Sequence, residues 1–427
     1  MHLQKKFFPG PEKAASPAEQ ILASVCTILE ACQNGEPMPK QSNSDTGALL
    51  HNILLCISRH RASMDFLLDS FRTGKLRPRS RRVFWWALAE LLWLNGLPLP
   101  VIVDTATEYI KRRHSPAEAG FSNAILRKIA ALQEQGQLTG LLASAPAAVQ
   151  LELPSVLYQR WQKIFPAPVL VEMAAVLQQP AEVILRARHN APREIPAGLQ
   201  ELSPVPWAAD YRLFRLQGAS LSETMRPGGG FYVQDPSTLL APAMLAVQPG
   251  ETVGDLCCAP GGKALLLAEC LAGQGRLLCR DRSAVRLSRV RENLCSWDNV
   301  EIAPGDALRP DLPPDSLDAL LLDVPCSNTG VIRRRPDVRW SFSENKLREL
   351  VQLQEQILAA AALLVRPGGR LVYSTCSLEP EENTRQVQTF LLHQPGFILL
   401  KEQQLLPTSE HDGAYAALLQ RTEPPGT

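Results

Sequence analysis

The sequence predicts a multidomain protein: an all-α domain over residues 1–145, a small α+β bridging module over 146–230, and an α/β domain over 231–427. Three observations predict this order. Apolar residues recur at three- and four-residue spacing from about Pro17 to Gln137. The stretch after Pro146 is rich in proline and mixed in pattern, and from Phe231 short apolar runs alternate with helical patterns. Alternation of that kind gives a mostly parallel sheet with helices on both faces. At 427 residues the chain is also too long for one ordinary core.

In the first domain, "EQILASVCTILEACQ", "GALLHNILLCISRHRASMDFLLDSF", "RRVFWWALAELLWLNG" and "GFSNAILRKIAALQEQ" read as helices. The breakers "NGEPMPKQSNSDTG" and "NGLPLP" separate them. The aromatic run Phe84, Trp85, Trp86 reads as core rather than as a platform for stacking bases. In the middle module "PAEVILRARHN" is the clearest strand. In the last domain the strands are "ETVGDLCC", "GRLLCRD", "NVEIAPGD", "LDALLLDVPC" and "GGRLVYSTCS". Helical patterns such as "SAVRLSRVRENLCSW" and "ENKLRELVQLQEQILAAAALLV" lie between them.

Hydrophobic residues make up 45% of the chain and charged residues 20%, the composition of a soluble globular protein. The longest apolar stretches, such as "ILAAAALLV" from Ile357, stop well short of the ~18 residues that suggest a membrane span. The opening "MHLQKKFFPGPEK" has basic residues but no apolar h-region, so no secretory leader is expected. The ten cysteines are then expected to be free thiols in a reducing cytoplasm. The net charge of +1 says little, but its distribution says more. Arg72, Lys75, Arg77, Arg79, Arg81 and Arg82 form one basic cluster, and Arg333, Arg334, Arg335 and Arg339 form another just after Cys326. The second lies beside the suspected chemistry and points to an anionic substrate.

In an open parallel sheet, ligands bind beyond the carboxyl ends of the strands. The first strand runs into "DLCCAPGGKA", where Gly261 and Gly262 let backbone N–H groups approach a ligand at a helix start. This is neither a phosphate-binding loop nor the spaced glycine fingerprint of a dinucleotide site. The second strand ends at Asp281, the third at Asp306 and the fourth at Asp323. An acid at the end of the second strand commonly binds ribose hydroxyls. Acids at three strand ends beside a glycine turn outline a nucleoside-bearing cofactor without a phosphate clamp. S-adenosylmethionine fits, having ribose, adenine and a cationic sulfonium but no phosphate.

Two apparent strands end in lone cysteines, Cys326 after Pro325 and Cys376 after Thr375. Neither has a second cysteine two to four residues away, as most zinc sites require, and no metal is expected. A thiol whose pKa falls is the best side-chain nucleophile near neutral pH. Carbon 5 of cytosine is too electron-poor to attack a methyl donor directly. A thiolate added at carbon 6 makes it nucleophilic. After methyl transfer a base must take the carbon 5 proton so that the thiol can leave, and a second cysteine could assist.

"DLCCAPGGK", "DVPCSNTGVIRRRPDVRW" and "YSTCSLEPEEN" resemble the motifs of RNA cytosine-C5 methyltransferases, specifically the bacterial ribosomal small-subunit group called Sun, Fmu or RsmB. The likeness runs from about Gly230 to Arg421. Upstream, "GFSNAILRKI" is similar to the end of that group's NusB-like helical domain and "ILRARHN" to its bridging module. The resemblance implies a NusB-like RNA-binding domain, the bridging module and a Rossmann-like class I methyltransferase domain. It implies S-adenosylmethionine as cofactor and a cytosine of 16S ribosomal RNA as substrate. It further implies that Cys376 is the nucleophile and that Cys326 serves product release. Asp323 would lie against the cytosine edge and near the methyl donor, with Lys263 pointing into the site. Cys257, Cys258, Ala259, Pro260, Gly261, Gly262 and Lys263 would form the cofactor loop, with Asp281 on the ribose and Asp306 near the adenine. DNA cytosine methyltransferases use the proline-cysteine position as nucleophile, so the presence of both cysteines marks the RNA class. The target base would be taken from a loop or flipped out of its stack. Arg333, Arg334, Arg335 and Arg339 would hold the flanking phosphates, with Trp340 either beneath a base or in the core. The protein is expected to act as a cytoplasmic monomer on RNA, without membrane or metal.

Three departures from that group stand out. Its loop usually reads "AAPGGKT", where this chain has Cys258 and Ala264. Its closing strand often reads "DGFFxARL", where Ala414 and Ala417 here replace an aromatic and a basic residue expected to shape the substrate mouth. The second strand carries arginines on both sides of Asp281. Three rival readings stand beside it: the same chemistry on transfer RNA, a non-catalytic RNA-binding assembly factor that has kept the fold, and a cysteine hydrolase, which the lack of a histidine near either cysteine in sequence counts against.

Overall fold

The computed structural model describes residues 16–39, 44–71, 76–192, 194–218, 221 and 230–423. The stretch read for a leader, and Arg72 and Lys75 of the first basic cluster, lie outside these residues. The chain forms two compact units, one of residues up to Phe165 together with Arg339–Ser341, the other of Pro166–Val338 and Phe342 onward.

The first unit is helical: α1 (Pro17–Gln33), α2 (Asp45–Phe71), α3 (Pro78–Ala89), α4 (Leu99–Arg113), α5 (Pro116–Glu134), α6 (Leu138–Ala143), α7 (Ala147–Gln150) and α8 (Ser155–Ile164). Local chemistry sets the starts of α1 and α5. Ser16 and Ser115 each accept a hydrogen bond from the backbone N–H three residues on, at 3.2 Å, and a proline follows each cap. Leu22, Ile53, Leu67, Phe84, Trp86, Ile110 and Ile129 meet in the core, and the aromatic run is buried as its apolar neighbours predicted. The described part of the first basic cluster is paired within this unit. Arg81 Nη1 lies 2.5 Å from Asp65, Arg82 Nη2 lies 2.8 Å from Glu30, and Arg77 Nη1 lies 3.1 Å from Glu118.

The second unit opens with α9 (Ala167–Gln178) and a four-stranded antiparallel sheet of β1 (Ile184–Ala187), β2 (Leu199–Glu201), β3 (Leu213–Leu216) and β4 (Phe231–Val233), in the order β2-β3-β1-β4. The stretch read as one bridging module is thus shared: α7 and α8 go with the helical unit, the small sheet with the larger one.

The larger sheet has seven strands: β5 (Thr252–Asp255), β6 (Arg276–Asp281), β7 (Val300–Pro304), β8 (Leu317–Asp323), β9 (Val365–Thr375), β10 (Phe397–Leu405) and β11 (Ala414–Arg421). Their order is β10-β11-β9-β8-β5-β6-β7, parallel from β9 through β7 and antiparallel at β11 and β10. The helices that follow among the described residues are α10 (Leu240–Leu245), α11 (Gly262–Leu271), α12 (Ala284–Leu294), the short α13 (Val338–Ser341), which apart from Val338 belongs to the first unit, α14 (Glu344–Ala362) and α15 (Thr384–His393). Strand alternation divides the core between two faces. Leu277, Ala319, Leu321 and Val372 pack with Leu265 of α11 and Val290 of α12. Leu278, Leu320, Leu322, Leu371 and Tyr373 pack with Leu358 of α14 and Phe390 of α15. The strand order reverses at β5, so a crevice opens beyond the ends of β5 and β8.

Candidate active site

Parallel pairing of β8 with β9 sets Asp323 opposite Ser374, and the loops that leave the two strands run side by side. The cysteine sulfurs they carry lie 3.3 Å apart. Cys326 is buried, whereas Cys376 is half-buried and more open. Its hydrogen bond to Cys376, then burial, pushes the Cys326 thiol well above its ordinary pKa. Behind Cys376, a Cβ on Gly330 would meet the Cys376 carbonyl oxygen at 2.8 Å, so only glycine lets the two loops close this tightly.

Asn328 joins the pair. Its backbone is left-handed, at φ 61°, a conformation that asparagine tolerates better than most residues. Its Nδ2 donates to the Cys326 carbonyl at 2.8 Å, which turns Oδ1 toward the Cys376 thiol at 3.1 Å. Sequence reasoning missed this residue. The available signal was an asparagine two positions after a suspected catalytic cysteine.

Lys263 and Asp323 meet, with Nζ 2.5 Å from Oδ2, and Ser374 Oγ donates to the other Asp323 oxygen at 3.0 Å. Burial alone would lower the Lys263 pKa, but the charge of Asp323 and its hydrogen bond outweigh it and the net shift is upward. Sequence reasoning also passed over Asp255, the acid that ends β5. Burial, and next the charge of Asp323, pushes its carboxyl up to about 8.

A cavity of about 550 Å³ brings the thiols and Asp323 together with residues expected at a cofactor, and Cys257, Ala259, Asp281, Asp306, Asp323, Cys326 and Cys376 all line it. Asp281 accepts from Ala259 N at 3.1 Å through one oxygen and from Ser283 N at 2.9 Å through the other. Asp306 lies two residues beyond the end of β7 and accepts from Leu308 N at 3.0 Å. Gly261 caps α11 with φ 103°, and a Cβ there would sit 3.1 Å from Val290 Cα of α12. Pro260, Gly261 and Gly262 thus shape the turn. Cys258 departs from the expected role: its side chain is buried in the core beside Cys279, leaving the loop only its backbone.

The second basic cluster needs correction. Arg333 is buried and donates to the carbonyls of Thr408, Ser409 and Pro180 at 3.2, 2.7 and 3.1 Å. Arg334 bridges Asp235 and Asp412, both at 2.6 Å. Arg339 is fully buried in the helical unit and donates to the carbonyls of Arg59 and Glu152. These three guanidinium groups are committed to holding the fold, not to phosphates. Arg335 alone of the four is exposed, paired with Asp337 at 2.9 Å. Trp340 donates its indole N–H to the Ser58 carbonyl at 2.7 Å and faces the Arg61 guanidinium at 4.6 Å, a structural role rather than a base platform. Ala414 and Ala417 are likewise buried in β11, and set against "DGFFxARL" it is Leu418, not Ala417, that stands at the basic position. Of the arginines flanking Asp281, Arg280 binds Asp311 and Glu301, while Arg282 lines the cavity.

Residues 242–420 match the family described as 16S rRNA methyltransferase RsmB/F, and residues 19–131 match the NusB family. The ribosomal RNA small subunit methyltransferase B of Salmonella heidelberg (strain SL476) is 31% identical, over 94% of this chain and 97% of that protein. A probable ribosomal RNA small subunit methyltransferase B of Synechocystis is 31% identical over 78% of each chain. Among solved structures, a methyltransferase homolog from Pyrococcus horikoshii is 25% identical, covers 64% of this chain and 97% of its own, and superposes with a TM-score of 0.54.

Proposed function

The chain belongs to the RsmB/F family of 16S rRNA methyltransferases, with a NusB-family region preceding the catalytic sheet, and from that premise we propose that it methylates carbon 5 of a cytosine in small-subunit ribosomal RNA. One observation carries the chemistry: two thiols 3.3 Å apart on the wall of the cavity that also holds the strand-end carboxyls.

S-adenosylmethionine suits the donor set of that cavity. Both Asp281 oxygens already accept a backbone N–H, and each keeps a lone pair for a ribose hydroxyl. Leu256, Ala307 and Leu308 offer apolar surface for a purine, with Asp306 beside them. Asp323 brings a carboxyl to the boundary between this end and the thiols. When bound, S-adenosylmethionine supplies an electrophilic methyl group.

The residues of the chain then divide the work. Cys376, the more open thiol, forms the bond from sulfur to carbon 6 of the base and pushes electron density onto carbon 5. Asp323 is held by Lys263 on one oxygen and Ser374 on the other, which fixes the edge it presents to the exocyclic amine of cytosine. Elimination passes the carbon 5 proton to a water acting as base in the cavity, restores the ring double bond and returns the carbon–sulfur bonding pair to Cys376 as thiolate. Cys326, in contact with Cys376, serves that release.

The test is methyl transfer from labelled S-adenosylmethionine to unmodified small-subunit RNA and to transfer RNA, followed by nucleoside analysis. Labelled 5-methylcytidine in the small-subunit RNA alone is the expected result. Label confined to transfer RNA would overturn the substrate, and label in another nucleoside would overturn the chemistry.

A further inference from the structure

The motif that carries Cys376 continues into "SLEPEEN", and the reaction above makes no use of its acids. One of them, Glu382, has no exposed surface. A buried carboxyl must be satisfied by donors, and the donors here come from both cysteine loops. Oε1 accepts from Ser327 N at 2.8 Å and from Gln354 Nε2 at 2.9 Å. Oε2 accepts from Ser327 Oγ at 2.5 Å and from Ser377 Oγ. Ser327 follows Cys326 and Ser377 follows Cys376, so one carboxyl holds the residue next to each thiol. The same Gln354 amide also donates to the carbonyl of Pro325, which precedes Cys326.

The sheet does not set the thiol spacing by itself. The β8–β9 register ends at Asp323 opposite Ser374, and past the Val324 N–H to Ser374 carbonyl bond the regular ladder gives way to contacts between the two loops, among them the Gly330 N–H to the Cys376 carbonyl at 2.9 Å and the Leu378 N–H to Thr329 Oγ1 at 2.9 Å. One enters the turn at Thr329–Val331 and the other enters the turn before α15. Glu382 is itself fixed, since its carbonyl accepts from the buried Tyr373 hydroxyl of β9 at 2.7 Å. We propose that Glu382 is a positioning residue that clasps the two cysteine loops and sets the separation of Cys326 and Cys376 needed for attack and release. This rests on the two-thiol reaction proposed above, and a thiol-spacing measurement separates the two.

Phenylarsine oxide supplies that measurement, because its arsenic bonds two neighbouring thiols with loss of one water. Full-length wild type, Glu382→Ala and Glu382→Gln are treated with it, the Cys326–Cys376 adduct is quantified by peptide mass spectrometry, and methyl transfer and melting are measured on the same preparations. In Glu382→Ala, bridging is expected to fall about tenfold and kcat about a hundredfold, with KM for S-adenosylmethionine unchanged. Glu382→Gln keeps the shape and one acceptor oxygen and is expected to recover most of both. If Glu382→Ala does not fold, the double variant Ser327→Ala, Ser377→Ala removes the two hydroxyl donors and carries the same expectation. Bridging and kcat at wild-type levels in a folded Glu382→Ala, or a lowered melting temperature with unchanged bridging, would overturn the clasp. A wild type that transfers no methyl group, with bridging still lost in the variant, would remove the proposed reaction and leave the clasp standing.

Discussion

The two ends of the cavity are built by opposite means. At the end proposed for the cofactor, Asp281 and Asp306 are held by backbone N–H groups of Ala259, Ser283 and Leu308. A backbone donor survives any substitution except proline, so this end tolerates the unusual Cys258 and Ala264, whose side chains point into the core. At the thiol end, the decisive contacts run between side chains and loops some fifty positions apart, as in Asn328 with Cys376 and Ser327 with Glu382. One substitution there removes a bond that nothing nearby replaces. The lesson is that the cofactor end is robust and the thiol end is exacting.

Substitutions at the two ends should therefore differ in kind as well as size. The largest effect is expected for Cys376→Ala, which should lose turnover by at least ~10⁴-fold in a methyl-transfer assay. Cys326→Ala should instead form one covalent RNA–protein complex per chain and stop, visible as a slow band on a denaturing gel. Asp323→Ala should lower kcat by about 10²-fold through loss of a fixed group at the reacting base. At the other end, Asp281→Ala should raise KM for S-adenosylmethionine about tenfold, the cost of one good hydrogen-bond acceptor, and leave kcat nearly unchanged. A kcat loss at Asp281 as deep as that at Asp323 would break the contrast.

The smallest expected effect concerns stability. The folded chain keeps the Asp255 proton up to about pH 8, whereas an unfolded chain gives up a carboxyl proton near pH ~4. Its stability contribution is thus full below that lower pH and is lost progressively as pH rises to about 8. Asp255→Asn should flatten this slope, melting alongside wild type at acid pH and several degrees above it at pH ~8. Equal melting at both pH values would show that Asp255 does not carry the dependence.

Much of this architecture is legible in the sequence because it rests on local pattern. The five parallel strands and the long helices of the first domain follow from periodicity and breaker residues, and the strand-end acids mark one edge. The arginines after Cys326 show where reading stops. Charge next to a suspected site looks like a phosphate grip, yet Arg333 and Arg334 reach carbonyls and carboxyls 75 to 153 positions away along the chain. No local signal encodes such partners. Asn328 offered only its place two positions after Cys326, and Glu382 only its place in "SLEPEEN"; the partners that give them a role lie on the other loop.

The central claim is that Cys376 bonds the base and Cys326 lets it go. The direct measurement is to incubate Cys326→Ala with unmodified small-subunit RNA and S-adenosylmethionine, digest the complex, and identify the nucleotide-linked peptide by mass spectrometry. The account predicts a methylated cytidine attached through the sulfur of Cys376. Attachment at another residue, or wild-type turnover with no attached nucleotide, would contradict it.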